Sequence, residues 1–415
     1  MTTDTADIPG PPGRRAGWFS KIVLLSTAIS VSFGLGEIFT RLLLKTKIPL
    51  FPRYHTGAEY GEFKLRRLRP STEFFHESVD GRWKFTTNAQ GFRDTHDYAR
   101  DKPKGVLRVL VLGDSHTQGF EVRQDRTYAE IIERSLAQHG MKAEVLNTGV
   151  SGFSNAEELA FFENEGLKYA PDVVVVGFFA NDFEDNVKAG LFAIEGGALV
   201  VKKTTHQPGV RVLDVINSFF LLRWLSENSY FYSLGLNTAW STAKSMLLSE
   251  SEQAIATEYA IPTEEVGDYK RNLAAALFER LHAVCREHQI LLIVLDIPSM
   301  DYGDRDKAFI SSIPPDFADV LIKNTDALLM SNDVLGRYRG LTDLHLPYGH
   351  NHISEFSHLM FGLRVTDEIV RPKTSPNKGA PRTESGGPTS GQTESPIEDP
   401  SKGQDEGRSP PHEAH

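Results

Sequence analysis

A serine that follows large aliphatics and a glycine is well placed to be a nucleophile, and Ser115 has that setting in Arg108–Phe120, RVLVLGDSHTQGF. Val109 to Leu112 reads as a buried strand that breaks at Gly113 into a tight turn. Parallel α/β sheets place their chemistry just beyond the carboxyl ends of such strands. Three other polar stretches follow the same logic. Gly149-Val150-Ser151-Gly152 succeeds a second apolar run, where a glycine lets a backbone N–H approach a developing oxyanion. Ala180-Asn181-Asp182 succeeds a third, where the Asn181 amide can donate to the same oxygen. Asp343-Leu344-His345 precedes the last amphipathic stretch; an imidazole there can take the serine proton while a carboxylate orients it. Each stretch alone has a plainer reading: Asp114 or Ser115 as a helix cap, Asn181-Asp182 as turn chemistry, Asp343 and His345 as solvated loop residues. A serine, oxyanion donors, a base and an acid on the edge of one sheet are a stronger signal than any member.

Those residues need a sheet to hold them, and the pattern supplies one. Thr127-Tyr128-Ala129-Glu130 is a capping box that opens a helix to about Gln138, with Ile131, Ile132 and Leu136 at helical spacing. A strand around Ala143–Val150 follows, then a second capping box, Ser154-Asn155-Ala156-Glu157, opening a helix to about Lys168. Val173–Phe179 is apolar throughout, as in a strand covered on both faces. After an interruption the alternation resumes with a helix bearing Leu273, Leu277, Leu281 and Val284, the strand Ile290–Ile297, and a last helix ending near Val370. This spacing predicts a parallel, doubly wound α/β sheet. The interruption, about 184–267, is aromatic-rich (Phe219, Phe220, Trp224, Tyr230, Phe231, Tyr232, Trp240) and reads as a mostly helical insertion, a lid or substrate cap, with core packing accounting for most of its rings.

The flanks differ in kind. Residues 1–17 are rich in Pro and Gly and read as disordered, as does the tail 373–415; 45–104 is a lead-in to a domain spanning 105–372. Residues 18–44 hold an uncharged stretch, Ile22–Gly36, with Trp18 and Phe19 at one end and Arg41 at the other, and read as a single-pass membrane anchor, with a cleaved signal peptide and a buried soluble helix as the alternatives. Lysines and arginines flank it on both sides and choose no topology. The net charge of −10 and the absence of a basic stripe exclude a general nucleic-acid binder, and the single Cys285 excludes a disulfide framework. Asp343, His345, His350 and His352 invite a zinc reading, but their loop spacing matches no helical ligand pair and leaves Ser115, Gly152 and Asn181 unexplained. No metal and no cofactor is expected. Gly113–Gly119 lacks the dinucleotide GxGxxG spacing.

With these motifs the chain resembles the SGNH (GDSL-type) hydrolases over about 108–185 and 290–370. The resemblance implies a three-layer α/β/α sandwich with a mainly parallel central sheet, Ser115 as nucleophile, oxyanion donors from the Ser115 and Gly152 N–H groups and Asn181, and the Asp343-His345 block as acid and base. Thr87–Asp94 and Gly36-Glu37…Arg41 resemble bacterial members with a membrane anchor, so the domain is expected on the extracytoplasmic side. Such members often carry Asn or Ser two residues after the histidine, where His345 is followed by Pro347. His352 is therefore the rival base, with His350, His116 and Asp114 as further candidates for substrate contact or proton transfer. The implied activity is cleavage of an ester-linked acyl group, on a glycan, a lipid or a small ester. An O-acyltransferase using the same site, or a silent glycan-binding protein on this fold, are the alternatives.

Overall fold

Helix α1 (Arg14–Leu43) opens the described part of the chain, and its side chains face outward along most of its length. The computed structural model describes residues 14–48, 50, 54–247, 267–300, 309–347 and 352–371. Gly17–Leu43 contains an 18-residue window of mean hydropathy 1.8 and is long and apolar enough to cross a membrane. The helix starts at Arg14, so residues 14–17 of the stretch expected to be disordered are helical. The tail from 373 lies outside the described residues.

The lead-in folds into two hairpins. Strands β1 (His55–Tyr60) and β2 (Phe63–Leu68) pair antiparallel, as do β3 (Glu73–Ser78) and β4 (Gly81–Thr86), the latter turning at Asp80-Gly81. The core then alternates as the sequence predicts: β5 (Leu107–Gly113), a one-turn α2 (Ser115–Gln118), α3 (Tyr128–Gln138), β6 (Ala143–Asn147), α4 (Asn155–Asn164), β7 (Val173–Phe178) and α5 (Asp182–Ala189). Both capping residues act. Thr127 Oγ1 accepts from Glu130 N, and Ser154 with Glu157 closes a reciprocal box at the start of α4.

The segment after α5 begins with strands: β8 (Phe192–Glu195), β9 (Ala198–Val201) and β10 (Thr205–His206), of which β10 joins β2 in parallel. Only then come α6 (Val210–Ser218), α7 (Phe220–Asn228) and α8 (Tyr230–Leu247). The expected insertion from 184 thus gives up α5 to the core and is partly strand. The core resumes with α9 (Asp268–Glu287), β11 (Leu291–Asp296), α10 (Pro315–Lys323), β12 (Ala327–Leu329), α11 (Ser331–Leu335) and α12 (Glu355–Val370).

Five strands form one parallel sheet in the order β12-β11-β7-β5-β6. Alternation along each strand explains why these segments are apolar throughout. Val109 and Val111 of β5 join Val173 and Val175 of β7 in a core closed by Tyr128, Ile132, Phe361 and Val365 of α3 and α12. Leu110 and Leu112 join Val174 and Val176 in the opposite core, closed by Phe162, Phe183, Phe278 and Phe317 of α4, α5, α9 and α10. The result is a three-layer α/β/α sandwich, with the carboxyl ends of β5, β6 and β7 on one edge.

Candidate active site

The turn after β5 is shaped by Gly113. Its φ of +152° suits glycine, and a Cβ there would collide with Thr117 Oγ1. Asp114 caps α2, its carboxylate accepting from His116 N at 2.8 Å. The capping reading is therefore correct for Asp114 and leaves Ser115 at the first helical position. Neither the Ser115 N–H nor the Gly152 N–H is engaged in a hydrogen bond among the described residues.

The Gly149–Gly152 loop is fastened beside that turn. Val150 N donates to Gly113 O at 3.0 Å, and Ser151 donates through N and Oγ to Gln118 Oε1 at 2.6 and 2.9 Å. Gly152 has φ +75° and is exposed, with the Arg66 guanidinium of β2 against it. Arg66 Nη2 donates to Ser151 O. Asn181 sits at the head of α5, its amide donating to Asp185 Oδ2 at 2.9 Å and also favouring the charged form of Asp114. Asn181 Oδ1 is buried with no hydrogen-bond partner among the described residues.

His352 Nε2 lies 2.8 Å from Ser115 Oγ. Its ring stacks on Phe120 at 4.4 Å between centroids and lies 4.6 Å from the His116 ring. His345 is elsewhere: its Nε2 is 2.9 Å from the Pro298 carbonyl, in a site that burial keeps neutral by pulling its pKa down to about 4. The expectation that His345 faces the serine is corrected by a local pairing. His345 bridges Ile353 antiparallel, with Leu346 N donating to His352 O at 2.9 Å and Ser354 N to Leu344 O at 3.0 Å. Partners in such a bridge point to one face and their neighbours to the other. His345 and Ile353 therefore enter the core while His352 turns toward the serine. Asp343 is exposed and meets the chain through its carbonyl, which accepts from Ser354 Oγ at 2.7 Å, so the expected Asp343–imidazole pair is not formed. His350 lies outside the described residues. Ser354, two residues after His352 and the N-cap of α12, is the sequence signal that fits His352.

Behind the site lie groups that sequence reasoning did not single out. Arg93 is 1 % exposed and donates to the carbonyls of Gln118, Gly119 and Val122, clamping the chain just after Ser115. Its guanidinium lies 4.2 Å over the Phe85 ring. Glu121, buried beside Phe120, pairs with His76 at 3.3 Å; that contact and the charges of His76 and His352 hold it below the usual carboxylate range although burial opposes this. On the other side, Asp114, Glu158 and Asp182 are buried together. Burial, with Asp185 near, pushes Asp114 up to about 7; burial, with Asp114 and Glu157 near, pushes Glu158 up to about 8; Asp182 is raised well above its ordinary value by the same causes. His116, packed against Phe179, is held neutral by burial and the neighbouring His352.

Arranged this way, a hydroxyl with a base at hydrogen-bond distance and two available N–H donors can attack a carbonyl and stabilise the oxyanion. Comparison with known proteins bears on the chemistry. Residues 111–312 match the GDSL-like Lipase/Acylhydrolase family. An arylesterase of Vibrio mimicus is 29 % identical over 75 residues, which is 18 % of this chain and 38 % of that protein. The chain thus spans well under half the length of that relative. Among solved structures, a lipase/acylhydrolase from Enterococcus faecalis aligns at 16 % identity over 63 % of this chain and 95 % of its own, with a TM-score of 0.34. An esterase described as active on acetylated mannans aligns at 11 % identity over 67 % and 53 %, with a TM-score of 0.35.

Proposed function

Residues 111–312 make this chain a member of the GDSL-like lipase/acylhydrolase family, and from that premise we propose that it is a serine esterase with Ser115 as nucleophile and His352 as general base. The observation that carries the assignment is the 2.8 Å contact between Ser115 Oγ and His352 Nε2 beside two unengaged backbone N–H groups. Ser115 Oγ bonds to the acyl carbon as its proton passes to Nε2. The Ser115 and Gly152 N–H groups receive the oxyanion, and the Asn181 amide joins them on leaving Asp185. The C–O bond to the alcohol breaks, the alcohol leaves with the imidazolium proton, and water hydrolyses the acyl-serine by the reverse transfers. The substrate class is an ester-linked acyl group. With α1 spanning a bilayer and the domain on the extracytoplasmic side, the esters within reach are those of envelope glycans and lipids.

The test is a fluorophosphonate applied to the detergent-solubilised full chain, followed by p-nitrophenyl acetate turnover. A covalent adduct that maps to Ser115 and is absent from Ser115→Ala is the expected result. No adduct under conditions that label a related esterase, with no turnover above the Ser115→Ala background, would overturn the assignment.

A further inference from the structure

Helices α6 and α7 carry an apolar surface that faces outward. The fully buried side chains of α6 are Val210 and Asn217, and that of α7 is Ser226 alone. Leu213, Ile216, Leu222 and Leu225 are half-buried, while a second apolar set faces outward: Val215 is 60 % exposed, Phe219 57 %, Phe220 73 %, Leu221 62 % and Trp224 50 %. A water-facing helix has the opposite arrangement, and a continuous apolar surface with a tryptophan marks a contact that the isolated chain leaves uncovered.

The chain itself points to what covers it. The carboxyl end of α7 is joined to the last turns of α1, the helix apolar enough to cross a membrane. Arg41 Nη2 donates to Asn228 O at 2.5 Å, and Glu37 accepts from Ser229 Oγ at 2.7 Å and from the N–H groups of Tyr230 and Phe231 at 3.2 and 3.0 Å. Phe231 at the start of α8 packs against Gly36 and edge-on to Phe33, 5.3 Å between centroids. At 1.5 Å per residue, Phe220 lies only about 12 Å along α7 from this junction. The exposed surface of α1 remains apolar up to it, with Ile38 57 %, Phe39 59 % and Leu42 78 % exposed.

From this continuity we infer that α6 and α7 form a second membrane contact, lying on the bilayer surface with Val215, Phe219, Phe220, Leu221 and Trp224 set among the lipid headgroups and upper acyl chains. The aromatic and aliphatic side chains then occupy the depth at which amphipathic helices bind, about 5–10 Å into the boundary. The consequence reaches the candidate active site. Helix α6 packs on β1, Glu227 of α7 accepts from Tyr54 Oη at 2.5 Å just ahead of β1, and β1 pairs with β2, whose Arg66 touches Ser151 and Gly152. Two contacts, a span and a surface helix pair, fix the domain's orientation on the bilayer where a span alone leaves it free to swivel.

The test uses the full chain in phosphatidylcholine–phosphatidylglycerol vesicles, spin-labelled at Val215→Cys or Phe220→Cys, with Leu341→Cys as a water-facing control (Leu341 is 78 % exposed). Cys285 stays in place, because it is buried and its thiol is pushed up to about 12. Collision with oxygen is expected to dominate at 215 and 220, at a depth of about 5–10 Å, and collision with an aqueous nickel chelate at 341. Labels at 215 and 220 that meet the nickel chelate as freely as the one at 341 would overturn the inference. So would dipolar broadening at 220 that disappears on dilution with unlabelled chain, which assigns the face to a second copy. Both labelled side chains are exposed rather than packed in the fold, and unchanged circular dichroism excludes misfolding as the source of either result.

Discussion

Replacing His352 by glutamine removes the proton acceptor 2.8 Å from Ser115 Oγ while keeping a polar side chain in its place. A positioned general base contributes about 10²–10⁴ in rate, which is roughly 3–5 kcal/mol at 1.36 kcal/mol per decade. His352→Gln should therefore lower kcat for p-nitrophenyl acetate by that factor with little change in KM. The matched perturbation is His345→Gln. A carbonyl oxygen only accepts, so the 2.9 Å contact with Pro298 requires the His345 proton to be on Nε2, and the ring is neutral because burial sets its pKa at about 4. That nitrogen has no lone pair to offer a serine. Glutamine can keep the donor, so turnover should stay within a few-fold of wild type, with a stability loss of about 1–3 kcal/mol if the carbonyl loses its partner. The two variants and Ser115→Ala with His352→Gln would be assayed on folded full-length protein. The double variant should lose no more than Ser115→Ala, since nucleophile and base act as a unit. Equal losses in His345→Gln and His352→Gln would refute the reasoning, as would full additivity in the double variant.

Two further outcomes follow from the groups behind the site. Arg93→Met leaves the buried carbonyls of Gln118, Gly119 and Val122 without their donor and should cost at least about 3 kcal/mol in urea unfolding; a loss under about 1 kcal/mol would show the clamp is not needed. Glu158, pushed up to about 8 by burial and by Asp114 and Glu157, keeps in the folded state a proton that the unfolded chain releases near pH 4. Stability therefore falls as pH rises from about 4 to 8, by up to about 1.4 kcal/mol per unit for that proton, and Glu158→Gln should flatten the slope accordingly. An unchanged slope between about pH 5 and 8 would count against a protonated Glu158.

The sequence alone determined what depends on local periodicity and local caps. Val109–Leu112 and Val173–Phe178 had to be strands covered on both faces, since every residue in them is apolar, and Thr127 and Ser154 announced the starts of α3 and α4. The placement of Ser115, Gly152 and Asn181 was legible for the same reason: each follows a strand of a parallel sheet, and strand ends gather on one edge. The choice between His345 and His352 was not local. It rests on the bridge between His345 and Ile353, whose alternation sends one imidazole into the core and the other to the serine, and a shift of one residue in that pairing would put both on one face. Arg66 and Arg93 were hidden because the β1–β2 hairpin and the segment after β4 carry them to the site through contacts that no local pattern shows. The outward apolar face of α6 and α7 was equally invisible. Their composition reads as core, and only the packing shows that Asn217 and Ser226 are inside while Phe220 and Trp224 are out. Composition fixes how much apolar surface a segment has; tertiary contacts decide which solvent it meets.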